Sequence, residues 1–284
     1  MTLREHDVSP AVSVSEAIAL PKLSPWRALW SFVSKTWTLA ELEARKLRHD
    51  PTELVTRAVQ PALWLLVFGE VFGRTRAIPS GNLSYKAFMA PGILAQSVLF
   101  IAIFYGIAVI WERDLGIVHK FLVSPTPRPA IVLGKALSAG VRGVSQGVII
   151  YVLALLLGVR LNWNPAALLG VVVLVVLGAS LFSTFSLIIA CLVRTRERFM
   201  GIGQVLTMPL FFASNAIYPV SLMPAWLKVL ARGNPLSYEV DALRALMPAG
   251  GSSAFGLGPD FAVLLGAMTL LVLIASRLYP RLAM

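Results

Sequence analysis

A single cysteine and three histidines are all that this 284-residue chain offers in the way of thiol and imidazole metal ligands. Cys191 lies in an apolar run, so neither a disulfide framework nor a cysteine metal site can be built. His6, His49 and His119 are scattered, and none belongs to an HExxH spacing. The GxSxG elbow of a serine hydrolase is missing as well. A phosphate loop is also lacking: LGKALS at 133–138 imitates its end, but Ala136 stands where a hydroxyl residue must be and Pro129 where the first glycine belongs. An enzyme needs a nucleophile, an acid and base, or a metal set within mutual reach. The expectation is a chain that is not an enzyme by itself, binds no cofactor and holds no metal.

Charge is scarce too, at 14% of residues against 57% hydrophobic. That proportion calls for lipid as the solvent of much of the surface. A hydrocarbon layer about 30 Å thick needs about 20 apolar residues per helical crossing. The reading is an all-α integral membrane protein with six transmembrane helices near 58–73, 88–110, 136–158, 166–193, 199–218 and 256–276. The first of these is short, interrupted by Pro61 and Glu70, and the fifth is expected to bend at Pro209. Residues 1–25 read as a flexible cytoplasmic tail rather than a signal peptide, 26–50 as a separate amphipathic helix, and 51–284 as the membrane domain.

The net charge of +11 is mainly a topology signal. With both termini in the cytoplasm, 18 of the 25 lysines and arginines fall inside and seven outside, as the positive-inside rule requires. Nucleic acid is therefore not an expected partner; the lipid bilayer is.

Three segments are amphipathic without being long enough to span. In 26–50, Trp26, Trp30, Val33, Trp37, Ala40, Ala44 and Leu47 align on one stripe. Tryptophan favours the headgroup layer, which suggests an in-plane helix on the cytoplasmic face, with a coiled-coil seam or a partner-packed helix as the alternative. In 111–129, Trp111, Leu115, Val118 and Leu122 share a face beside Glu112, Arg113, Asp114, His119 and Lys120, and the prolines of SPTPRP end the helix. In 219–247, Pro224 and Pro235 suit helix starts, and Asn234 suits the cap before Pro235. Leu236, Val240, Leu243 and Met247 then form an apolar stripe, and Asp241 can pair with Arg244 at i, i+3. Two short external helices dipping into the outer leaflet fit this pattern.

Inside the first span, Glu70 lies one turn from Arg74, so a surface ion pair is its simplest role. Arg142 falls in the first turns of span three and is expected to snorkel towards the cytoplasm. Arg194, Arg196, Glu197 and Arg198 read as a topology anchor. Phe100, Phe104, Tyr105, Phe211 and Phe212 could line an apolar path, or simply pack helices.

Taken in order, ERDLGIVHKFLVSPTPRPAIVLGKAL (112–137), NAIYPVSLMPAWLKVLARGNPLSYEVDALR (215–244) and QPALWLLVFGEVF (60–72) resemble the permeases of ABC-2 type transporters, most nearly the daunorubicin-resistance type. The resemblance covers roughly residues 45–280, with one departure: Asn215 stands where the family usually has glycine. It implies six spans, an interfacial N-terminal helix, a cytoplasmic coupling helix and two short external re-entrant helices. It also implies a second permease subunit and two copies of a separate ATPase carrying ATP and Mg. Glu112, Arg113, Asp114, Gly116 and Lys120 would couple to that ATPase. Glu70, Phe104, Tyr105, Phe211, Phe212 and Asn215 are candidates for the translocation path. Pro219, Pro224, Trp226, Asn234, Pro235, Asp241 and Arg244 carry the external signature.

The expected function is export of a lipophilic drug, a lipid or a related amphiphile across a bacterial inner membrane. A lipo-oligosaccharide or polysaccharide exporter is the alternative. A secondary transporter would call for paired interrupted helices and buried coupling carboxylates, for which Glu70 is the candidate in the first span.

Overall fold

In the computed structural model, the described residues are 30, 34, 51–75, 78, 81, 83–118, 128–193 and 195–283. The expected in-plane helix of 26–50, the coupling positions from His119 to Pro127 and Arg194 lie outside them, apart from positions 30 and 34, which are helical and exposed. Among these residues the fold is a bundle of helices: α1 (Pro51–Leu63), a π-helical turn (Trp64–Phe68), α2 (Gly69–Thr75), α3 (Tyr85–Asp114), α4 (Arg128–Leu156), α5 (Pro165–Leu192), α6 (Arg196–Phe212), α7 (Ala225–Gly233), α8 (Pro235–Leu246) and α9 (Leu257–Leu278).

Local chemistry sets many of the helix starts. The Ser84 hydroxyl accepts from the Ala87 amide at 3.3 Å, and the Asn164 side chain accepts from Ala166 at 3.0 Å ahead of Pro165. Asn234 accepts from Leu236 at 3.0 Å ahead of Pro235, as the cap pattern predicts. One end needs a left-handed residue: Gly116, at φ 70°, closes α3 with its amide bonded to the Arg113 carbonyl at 2.9 Å.

Helices α3, α4, α5 and α9 are each long and apolar enough to cross a bilayer. Helix α3 and helix α5 are the buried centre, while α4 and α9 leave most of their apolar surface open, as helices solvated by lipid do. Helix α4 packs on α5 through small residues: a Cβ on Gly140 would lie 3.0 Å from Val176, and one on Gly143 would lie 3.1 Å from Ala179. Small residues thus let these two helices approach closely within one chain.

Four expectations are corrected. The stripe from Trp111 to Leu122 is not one helix, because α3 runs through to Asp114 and breaks at Leu115 and Gly116; spacing alone cannot reveal a glycine turn that leaves the periodicity intact. Helix α4 begins at Arg128 rather than at 136, since Pro129 is tolerated in a first turn where its missing donor is not needed. Arg142 accordingly sits at the midpoint of α4, with its guanidinium 5.1 Å from the centre of the Tyr105 ring, instead of snorkelling from the first turns. The fifth expected span is not helical throughout: α6 contains Pro209 but ends at Phe212, and residues 213–218 form turns and bends.

The short helices are held against the centre. Leu246 of α8 lies beside Gly170, and Glu239 lies against Gly178, so α8 runs antiparallel to α5 with Glu239 about 20 Å below the Pro165 end. The Glu239 carboxyl is fully buried and has no partner among the described residues. Burial without a partner penalises the ionised form of Glu239 and favours the neutral acid.

A Cβ at Gly178 would fall 2.1 Å from Glu239 Oε1. Gly178→Ala is therefore expected to lower stability by about 1–3 kcal/mol through overpacking. Thermal unfolding in detergent should show part of that loss recovered in Gly178→Ala/Glu239→Ala, and strictly additive losses would contradict the contact.

Candidate functional site

Helix α6 has 17 residues, about 25 Å of rise, which falls short of a hydrocarbon layer about 30 Å thick. The chain continues towards the Pro165 end as non-helical backbone, and such backbone persists in an apolar setting only if its polar groups find partners in the protein. They do. The Asn234 amide donates to the Leu210 carbonyl at 2.7 Å and to the Ala213 carbonyl at 3.4 Å. Arg244 Nη2 donates to the Asn215 carbonyl at 2.7 Å, and the Tyr85 hydroxyl donates to the Ile217 carbonyl at 3.1 Å. Close approach to α3 is possible because Gly92 has no side chain; a Cβ there would lie 2.3 Å from the Ala216 carbonyl oxygen.

Arg244 is the centre of this arrangement. It is 6% exposed, its Nε donates to the Phe88 carbonyl at 3.3 Å, and its guanidinium lies 3.8 Å from the centre of the Phe88 ring. Asp241, 1% exposed, supplies the counter-charge at 4.0 Å. Asp241 Oδ1 accepts from Asn215 Nδ2 at 3.4 Å, while Oδ2 accepts from the Ser253 hydroxyl and the Ala254 amide, each at 2.7 Å, and from the Phe255 amide at 2.9 Å. One ion pair on α8 thus ties together α3, the break after α6 and the loop before α9. The external signature residues Asn234, Asp241 and Arg244 are buried in it, whereas Trp226 is exposed.

A second cluster lies at the opposite end, where α3, α4 and α6 meet. Glu112 pairs with Lys135. Asp114 pairs with Arg113 at 3.1 Å and with Arg196 at 2.8 Å, and Arg113 also donates to the Val193 carbonyl at 3.3 Å. The Arg196 guanidinium stacks over Trp111, 4.8 Å from the ring centre. Three of the coupling candidates, Glu112, Arg113 and Asp114, are therefore knitted into the ends of three helices, and Gly116 is the residue that turns the chain away from them.

The path candidates do not gather in one cavity. Glu70 pairs with Arg74 at 2.9 Å, as expected, and with Lys86 at 2.7 Å, which was not; all three line a cavity of about 570 Å³ with Phe72 and Tyr85. Phe104 stacks on Phe100 at 6.4 Å and Tyr105 meets Arg142, both along α3. Phe211 and Phe212 lie against Trp64, at 5.7 and 6.4 Å between ring centres. Ser253, Phe88 and Tyr85 escaped the sequence reading. Nothing in their neighbourhoods distinguishes them from packing residues, because their partners are more than ten to more than a hundred positions away.

The profile of the family described as ABC-2 type transporter matches residues 34–247. The chain is 27% identical over 271 residues to the daunorubicin resistance ABC transporter permease protein DrrB1 of Streptomyces coeruleorubidus, covering 95% of this chain and 88% of that one. It is 28% identical over 217 residues to the transport permease ycf38 of Cyanophora paradoxa, covering 76% and 74%. Against nodulation protein J of Rhizobium leguminosarum bv. trifolii it is 26% identical over 224 residues, covering 78% and 80%.

The two jobs of Asn234 can be separated. Asn234→Asp keeps the oxygen that caps α8 but loses the amide that serves Leu210 and Ala213, and should cost about 1–3 kcal/mol for a buried acceptor left unpaired. Asn234→Ala loses both jobs and should cost about 1 kcal/mol more. Equal stability of the aspartate variant and wild type in a thermal melt would leave capping as the residue's sole role.

Proposed function

The chain belongs to the ABC-2 type transporter family as a membrane permease subunit, and from that premise we propose that it exports a lipophilic drug, a lipid or a related amphiphile. Energy comes from a separate ATPase, two copies of which hold ATP and Mg and dock on the cytoplasmic face. Two permease subunits pair around the path, in a bacterial inner membrane. Six crossings place both termini in the cytoplasm: α3, α4, α5 and α9, with α1 to α2 as the first and α6 plus residues 213–218 as the fifth. The Pro165 end is then external, α7 and α8 form a re-entrant pair from that side, and the distribution of lysine and arginine supports this orientation.

The observation that carries the mechanism is the junction of α3, α4 and α6 at the cytoplasmic end. A motor pressing on Glu112, Arg113, Asp114, Gly116 and Lys120 pushes on three helix ends together, because the Glu112–Lys135 and Asp114–Arg196 pairs join them. Rigid-body rocking of packed helices then alternates access. Glu70, Phe104, Tyr105, Phe211, Phe212 and Asn215 contribute along the route, with Arg142 beside Tyr105 as the charge at mid-depth. The likeness to nodulation protein J keeps a lipo-oligosaccharide or polysaccharide cargo as the second reading.

Reconstitution with the ATPase encoded beside it tests the scheme. Transport should need ATP and be blocked by vanadate, and movement driven by an ion gradient alone would overturn the scheme. Glu112→Gln or Gly116→Ala should lower transport at least about tenfold per ATP hydrolysed, the equivalent of losing about 1.4 kcal/mol of coupling, with membrane abundance preserved. Unchanged transport in both variants would remove this end of α3 from the coupling route.

A further inference from the structure

Beyond Arg244, the buried polar groups extend to a place that the transport scheme does not use. Ser253 lies in the loop between α8 and α9. Its hydroxyl oxygen is 2.7 Å from Asp241 Oδ2 and 3.0 Å from Asp260 Oδ2, and it accepts from the Gly256 amide at 2.6 Å. A serine has one hydrogen to give. Whichever carboxylate receives it, the other contact needs a hydrogen of its own, so the two aspartates hold one proton between them.

Its location follows from the surroundings. Asp241 Oδ2 accepts from two backbone amides and Asp241 faces Arg244, all of which favour its ionised form. Asp260 is fully buried in the first turn of α9, and its Oδ1 has no partner among the described residues. An ionised Asp260 would leave an unsolvated carboxylate beside a second one.

We propose that Asp260 is a proton-binding site, and that the proton it holds clasps the start of α9 to α8 through Ser253. The chain of donors runs from Asp260 to Ser253 to Asp241. Neighbouring Leu257, Gly258 and Pro259 are exposed, which puts the site one helical turn from the surface of the protein. Among the described residues, the groups facing it are few. Helix α8 presents Asp241, Arg244 and Tyr238, whose ring lies 5.0 Å from that of Phe255. Helix α5 carries no charged residue, α4 brings Tyr151 to this end, and Arg160 meets the adjoining turn through its carbonyl, bonded to the Ala249 amide at 2.9 Å. A proton held by the folded chain and released by an unfolded one stabilises the clasp at low pH and ceases to do so as pH rises through the folded-state titration. The inference does not depend on what is transported.

The test uses the full chain in lipid nanodiscs. Hydrogen exchange of the peptide spanning 253–260, corrected for intrinsic base catalysis, is followed over a pH series. In wild type, protection should hold on the acid side, fall by up to about tenfold per pH unit between the open-state and folded-state titrations of Asp260, and level off above them. Asp260→Asn, which donates to Ser253 but does not titrate, should keep its protection across the series, and Ser253→Ala should be unprotected throughout. Infrared spectra of the wild type should contain a protonated-carboxyl band that Asp260→Asn lacks. Wild-type protection that ignores pH, or an asparagine variant that follows the wild-type profile, overturns the proposal. If the asparagine variant does not insert, the wild-type series and the loss of the infrared band at high pH decide alone.

Discussion

A buried guanidinium on a twelve-residue helix is the constraint on which the architecture depends. Arg244 can sit among apolar helices because Asp241 neutralises it and because carbonyls from two other segments accept its hydrogens. Those same bonds make the turn after α6 possible, since a lipid-solvated chain cannot leave carbonyls such as that of Asn215 without a donor. The charge and the break in the helix each supply what the other requires. Removing either one leaves an orphan in a setting that offers no water to replace it.

Two ends of the molecule differ in consequence. Near Pro165, polar groups hold α3, α6, α8 and the start of α9 as one body, and Gly92 and Gly178 let backbone or carboxyl approach where a methyl group could not. At the Leu192 end, the joining contacts are ion pairs between partly exposed side chains on α3, α4 and α6. Exposed pairs contribute little to stability and exchange partners at small cost. An input that reorganises charges can act there and move a body whose far end stays locked.

Much of this was legible in the sequence, for identifiable reasons. Continuous apolar runs specify long helices whatever surrounds them, and the Asn234–Pro235 start and the Asp241–Arg244 pair are local patterns that survive folding. The failures also have physical causes. Gly116 interrupts a stripe without disturbing its period, so the end of α3 passed for a separate helix. Pro129 marked a stop but lies in a first turn, which moved Arg142 from the edge of α4 to its middle. The apolar letters after Phe212 extend a span by composition, whereas Ser214 and Asn215 turn the chain there. Contacts such as Arg244 to Phe88, 156 positions apart, leave no local trace.

The most direct test of this account is a double-mutant cycle on Asp241 and Arg244, using Asp241→Asn, Arg244→Met and the pair, with unfolding free energies measured in one detergent. If the ion pair is the shared support of α3, the break after α6 and the loop before α9, the two losses will be coupled by about 1–3 kcal/mol. Losses that add within about 0.5 kcal/mol would contradict it, because the two residues would then be stabilising separate parts of the fold.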